Sequence, residues 1–177
     1  MIHLFRSMFT KDELEPLKIK MMSDSRMKPE LDTRYYFNSM GFYQSEGDQF
    51  KDKLETALIS VIDQPIKWSN SFYRIYQNGS YLGIHTDRRG LDVTVSLCVS
   101  KESKDPWPLY VSNKEYHGAW DDSIDMVPYK QDYQLVNLEP GDAGVVFGTK
   151  FPHWREPLDC LETEKNLYVF YHWSFAT

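Results

Sequence analysis

Five histidines occur in the chain, and two of them have neighbours that could do chemistry. His85-Thr86-Asp87 sets an imidazole and a carboxylate two residues apart. On an extended chain, residues i and i+2 share a face, so both side chains can reach a single ion. His153 follows in Phe151-Pro152-His153-Trp154. Two neutral imidazoles and one carboxylate on one side of a divalent ion leave three positions open. That set suits ferrous iron and lets a chelating molecule and dioxygen bind beside each other. His-x-Asp alone is a common tripeptide that also occurs in solvated turns, so the surrounding elements have to decide its meaning. His3, His117 and His172 have no comparable partner spacing.

The elements that must position these groups change character at Pro65. Before it the pattern is helical. Thr10-Lys11-Asp12-Glu13 has the form of a capping box and predicts a helix over Lys11–Ser23, with Leu14, Leu17 and Met21 on one side. Asp48 is a candidate cap for a second helix, where Phe50, Leu54, Ala57, Leu58, Val61 and Ile62 make an apolar stripe that Pro65 ends. After Pro65 come short β-rich runs: Trp68–Gln77, closing at Asn78-Gly79, then Val93–Ser100, Leu109–Ser112, Gln134–Leu138, Gly144–Phe147 and Asn166–Trp173. Pro140-Gly141-Asp142 is a turn between two of them. The reading is one domain over 1–177, with residues 1–65 as helical support and 66–177 as a β core, a sandwich or barrel with helices on its outside. The polar stretch 101–132 carries Trp107, Tyr110, Tyr116 and Trp120, expected in a lid.

Composition narrows the function classes. With 177 residues, 41% apolar and 26% charged, the chain is neither disordered nor long enough for two full-sized domains. No apolar run approaches the 18 or so residues of a membrane span. Twenty basic against 26 acidic residues give a net charge of −6, which argues against binding nucleic acid through its backbone. Cys98 and Cys160 are too few and too far apart for a disulfide scaffold or a zinc knuckle, and the N-terminal residues lack the apolar core of a secretory leader. The expected location is cytoplasmic. Aromatic residues reach 15%, which fits either an aromatic core or a ring-lined cavity.

The order of the elements now matters. Tyr76-Gln77-Asn78-Gly79-Ser80-Tyr81-Leu82-Gly83-Ile84 precedes His85-Thr86-Asp87, and Val93-Thr94-Val95-Ser96-Leu97 follows it. Then come Glu139-Pro140-Gly141-Asp142, the 144–147 run, His153, and Lys165 before the last apolar run. In this order, residues 72–173 resemble the iron(II)- and 2-oxoglutarate-dependent oxygenases, most nearly the prolyl 4-hydroxylase-like branch. The resemblance implies a double-stranded β-helix, a jelly-roll or cupin-like fold that is mainly β, with the N-terminal helices packed on its outside. It implies Fe(2+) held by His85, Asp87 and His153, with 2-oxoglutarate and dioxygen as co-substrates and ascorbate as an optional reductant. The far carboxylate of 2-oxoglutarate needs a cationic partner. Lys165 matches the family position and is preferred, and Arg155, two residues after His153, is the rival. Strand parity from Lys165 would make Tyr171 a pocket wall and turn His172 away from the site.

Tyr76 is expected beside the co-substrate, as is Thr94 or Ser96 if their face is the interior. Tyr81 stands four residues before His85 where the hydroxylase pattern more often has three, and Cys98 stands where some relatives carry a tyrosine, so those contacts depart from the pattern. Arg88-Arg89 reads either as an attractor for an acidic substrate or as a solvated turn closing on Gly90. The implied reaction is hydroxylation of a C–H bond, with release of succinate and CO2, on a prolyl residue of a protein or peptide or on a free amino acid. Two alternatives are an AlkB-like nucleic-acid demethylase, disfavoured by the absence of arginine in the segment after Lys165, and a non-catalytic cupin-like metal-binding module. The sequence does not fix an oligomeric state.

Overall fold

The computed structural model describes residues 2–30, 36–118 and 126–176. The capping box at Thr10 forms: the Thr10 backbone N–H donates to Glu13 Oε2 at 2.7 Å, and Glu13 N–H donates to Thr10 Oγ1 at 3.3 Å. Helix α1 runs over Lys11–Ser23 and buries Leu14, Leu17 and Met21. Helix α2 is shorter than the apolar stripe suggests, Lys51–Ile59. Asp48 accepts the Phe50 backbone N–H, and the helix begins three residues beyond it. A 3-10 turn spans Val127–Gln131.

Ten strands form one antiparallel sheet among the described residues: β1 (Ile2–Phe5), β2 (Lys28–Pro29), β3 (Tyr36–Gln44), β4 (Ile66–His85), β5 (Val93–Lys101), β6 (Leu109–Ser112), β7 (Tyr133–Val136), β8 (Ala143–Val146), β9 (His153–Arg155) and β10 (Asn166–Phe175). The sheet order is β1-β8-β5-β10-β4-β9-β6-β7, with β3 also on β4 and β2 on β3. The sheet curls into the jelly roll expected from the resemblance. No helix among the described residues is long and apolar enough to cross a membrane.

Two expectations need correction. Residues 1–65 are not only helical: β1 pairs with β8, and β3 pairs along β4. Neither strand announces itself, because β1 has four residues and β3 is interrupted by Asn38, at φ 51°. The second concerns Asn78-Gly79, which does not end a strand. β4 runs through it for 20 residues, because Gly79 N–H donates to Leu158 O at 2.8 Å and the strand exchanges partners. Its first half pairs with β10 and its last residues pair with β9.

The alternation along the central strands separates two environments. Val93, Val95 and Leu97 on β5, Leu167, Val169, Tyr171 and Trp173 on β10, and Tyr73 and Ile75 on β4 join the α1 and α2 side chains in one core. The opposite face of the same strands carries Asn70, Phe72, Thr94, Ser96, Phe170 and His172, which line a cavity. One carboxylate joins the first core to α2. Asp48 Oδ2 accepts the hydroxyls of Tyr73 at 2.6 Å and Tyr171 at 2.7 Å, both fully buried. Asp48→Ala leaves two buried hydroxyls without an acceptor and should destabilise the fold by about 3 kcal/mol, read as a lower urea midpoint with an unchanged m-value.

Candidate metal centre and cavity

β4 and β9 deliver two histidines to one point. Register pairs His85 with His153, and their ring centroids lie 4.5 Å apart. Each ring is fixed by the same local device. Nδ1 of His85 is 2.8 Å from the Gly83 carbonyl oxygen, and Nδ1 of His153 is 3.0 Å from that of Phe151. A carbonyl only accepts, so both rings carry their proton on Nδ1 and present the Nε2 lone pair as the ligating one. Both Nε2 atoms lie 3.7 Å from Asp87 Oδ1. The three candidate ligand atoms are within 4.8 Å of one another, close enough to converge on a single ion.

Asp87 is held as firmly as the rings. Its backbone N–H donates to Gly148 O at 2.8 Å, and its Oδ2 accepts from Thr94 Oγ1 at 2.5 Å, which leaves Oδ1 toward the histidines. Burial opposes the charge of Asp87, but His153, His172, His85 and the Thr94 hydroxyl outweigh it, and its pKa falls below the ordinary value. Burial, followed by the charge of neighbouring His153, lowers the pKa of His85. The centre therefore combines a carboxylate with an imidazole kept in its neutral, ligating form. His172, also buried in the cavity wall, is pushed down to about 4 by burial.

The cavity has a volume of about 290 Å³. Its buried end is lined by Leu82, Leu109 and Val146, which belong to a second core containing Tyr76, Trp107 and Tyr168. Within that core lies Arg155, 1% exposed, its guanidinium 4.6 Å from the Trp107 ring centre and 4.5 Å from that of Tyr168. Nη1 donates to Trp107 O at 2.6 Å. Nε and Nη2 of Arg155 and the Tyr76 hydroxyl are buried with no hydrogen-bond partner among the described residues. A buried cation with two unused donors beside an unused hydroxyl fits a carboxylate.

The site residues expected from sequence are thus dispersed unevenly. His85, Asp87 and His153 converge, while Tyr76 and Arg155 lie in the core below them. Thr94 faces the cavity as its strand parity allows, but its hydroxyl is spent on Asp87. Tyr76 and Arg155 are not among the cavity residues themselves but share the second core with Leu82, Leu109 and Val146, which are, whereas Lys165 is in neither. It is half-buried one residue before β10, with its backbone N–H on Glu102 Oε2 at 3.0 Å. The reason is parity: Asn166, Tyr168, Phe170 and His172 have the cavity side of β10, and Lys165 has the other. The same inversion puts Tyr171 in the helix-side core and His172 in the cavity wall, opposite to the expectation for each.

Nor do the expected lid aromatics line the cavity. Trp107 covers Arg155, Tyr110 stacks on Trp154 at 5.2 Å and Tyr116 packs against Tyr129 at 5.8 Å. Trp120 lies outside the described residues. Gly148 escaped the sequence reading because nothing in Phe147-Gly148-Thr149 marks a ligand-bearing loop. A Cβ there would collide with Asp87 Oδ2 and crowd Thr94 Oγ1 at 3.0 Å. Gly148→Ala should therefore weaken Fe(II) binding about 10- to 100-fold, measured by anaerobic titration. Thr94→Val should weaken it less, with the far-UV spectrum of both variants unchanged.

No protein-family profile and no curated protein sequence matches the chain. Solved structures do match, over nearly its whole length. A prolyl-4-hydroxylase from Pseudomonas putida superposes with a TM-score of 0.69 at 12% identity, covering 99% of this chain and 92% of that one. HygX from Streptomyces hygroscopicus, solved with nickel, 2-oxoglutarate and hygromycin B bound, gives 0.70 at 11% identity, over 99% and 83% of the two chains. The viral collagen prolyl hydroxylase of Paramecium Bursaria Chlorella virus-1, a 2-oxoglutarate complex, gives 0.67 at 11% identity, over 99% and 96%. The curled sheet and its two-helix cover are the jelly-roll fold of the iron(II)- and 2-oxoglutarate-dependent oxygenases, which are this chain's structural neighbours.

Proposed function

We propose that the protein is an iron(II)- and 2-oxoglutarate-dependent dioxygenase that hydroxylates a C–H bond and releases succinate and CO2. The observation that carries this reading is Arg155, a buried guanidinium with unused donors, two residues along β9 from the candidate ligand His153. An apolar core does not tolerate an unpaired charge, and a guanidinium binds a carboxylate through two parallel hydrogen bonds. The far carboxylate of 2-oxoglutarate supplies the missing anion, and the Tyr76 hydroxyl gives it a further donor.

Ferrous iron and 2-oxoglutarate, when bound, supply the coupling of dioxygen reduction and decarboxylation to insertion of oxygen into the substrate. The chain's own residues organise that chemistry. His85, Asp87 and His153 hold the ion on one side and leave its other side toward the cavity. Gly148 and Thr94 fix which carboxylate oxygen of Asp87 is offered. Leu82, Leu109 and Val146 keep water from the buried end, which strengthens the pairing of Arg155 with its anion. For the substrate we favour a prolyl residue of a protein or peptide, or a free amino acid. The likeness to two prolyl hydroxylases and a cavity at the small end of the ligand-pocket range support this. Both cysteines are free thiols, which suits the reducing cytoplasm.

Anaerobic addition of Fe(II) and 2-oxoglutarate should produce a weak visible charge-transfer band, and His85→Ala should abolish it. Arg155→Met should raise the 2-oxoglutarate concentration needed for the band about 100-fold while keeping or raising the melting temperature, because an unpaired buried charge is removed. Lys165→Met should change neither. A shift on Lys165→Met without one on Arg155→Met would reverse the assignment of the anchor.

A further inference from the structure

The exposed end of the same cavity has its own chemistry. Arg88 lies on its wall, exposed, with no ion pair or hydrogen bond to its guanidinium among the described residues of a chain whose net charge is −6. The turn that carries Arg88 is fixed. Leu91 N–H donates to Arg88 O at 3.2 Å, Gly90 takes φ +89°, and Ser69 Oγ on β4 donates to Gly90 O at 2.9 Å. Gly90 is in the left-handed region that glycine adopts without strain, so Arg88 and Leu91 are both returned to the cavity.

Facing this turn, β4 and β10 place Asn70 opposite His172 and Phe72 opposite Phe170. His172 Nδ1 lies 2.9 Å from Asn70 Oδ1, so the ring donates from Nδ1 and keeps its Nε2 lone pair, while Asn70 keeps its Nδ2 donors. Asn70 is 5% and His172 7% exposed, and both line the cavity. A cation, an acceptor and a donor are thus grouped around Phe72, Leu91 and Phe170, none of them fully buried.

We propose that this outer end binds a small organic acid whose carboxylate pairs with Arg88, whose polar group meets Asn70 and His172, and whose apolar body lies between Phe72, Leu91 and Phe170. The inference rests on the dioxygenase reading and, of the two substrate classes favoured there, selects free acids over interior residues of a polypeptide, whose α-carboxyl is tied up in a peptide bond. Arg89, exposed and outside the cavity wall, takes no part.

The test is the affinity of the protein, loaded anaerobically with Fe(II) and 2-oxoglutarate, for matched pairs of free amino acids and their primary amides. L-Proline, L-leucine and L-phenylalanine are titrated against prolinamide, leucinamide and phenylalaninamide by calorimetry. At least one acid should bind about tenfold more tightly than its amide, and the preference should weaken with salt because Arg88 is exposed. Arg88→Gln should remove the preference and Arg89→Gln should keep it. Asn70→Leu should weaken both members of the pair alike. Equal affinity for acids and amides, a preference that survives Arg88→Gln, or no binding by any acid overturns the proposal. The visible band is read on the same samples and reports the dioxygenase reading alone. If the band forms and no acid is preferred, the failure belongs to the substrate class. If no band forms, the titrations are repeated on the protein without metal, where a preference lost in Arg88→Gln supports the acid site and its absence overturns it.

Discussion

Everything at the centre depends on the alternation of side chains across β4, β5, β8 and β10. One row of the sheet reads Asn70, His172, Thr94 and Val146 from strand to strand, and the next reads Phe72, Phe170, Ser96 and Gly144. All of these but Gly144 line the cavity. The intervening residues Ser71, Tyr171, Val95 and Val145 form a row on the other face, and three of the four belong to the core under the helices. A strand buried on both faces has no solvent side to set its register, so chemistry sets it here. Polar and aromatic groups collect on the hollow side and branched aliphatic ones on the packed side.

This is why the site was partly legible in the sequence. His85 and Asp87 could be paired because their i, i+2 geometry is local, whereas His153, 66 residues beyond Asp87, was tied to them only by the order of elements that resembles the oxygenases. Val93-Thr94-Val95-Ser96-Leu97 also showed its alternation openly. The last strand was harder, since Leu167-Tyr168-Val169-Phe170-Tyr171-His172-Trp173 has almost no polar residue to mark either face. Its parity had to be anchored on one residue, and anchoring it on Lys165 inverted the whole strand. Arg155 was visible as a rival, but the isolation of its guanidinium between Trp107 and Tyr168 comes from tertiary packing. Gly148 acts through an atom it lacks, for which no spacing rule exists.

The two cores differ in what they accommodate. The helix-side core is largely apolar, with the Tyr73 and Tyr171 hydroxyls donating to Asp48 and the Trp173 indole donating to Glu55, and it is of the kind that holds a fold together. The second core encloses an arginine with unused donors and a tyrosine hydroxyl with no partner among the described residues. It is therefore a core that stability alone does not explain, and on the proposed reading its imperfection is the counterpart of the 2-oxoglutarate carboxylate. The aromatic excess divides accordingly: Tyr73, Tyr171 and Trp173 fill the first core, Tyr76, Trp107 and Tyr168 surround the arginine, and Phe72 and Phe170 face the hollow.

The join between β4 and β9 carries a last consequence. Only Leu82 with Arg155 and His85 with His153 are in register there, with an irregularity between them, and β9 is the link through which β6 and β7 reach the rest of the sheet. An ion held by His85 and His153 would then be a clasp across a seam of only two register pairs. An ion there would add a tie across this seam to the hydrogen bonds that already join β9 to β4 and to β6.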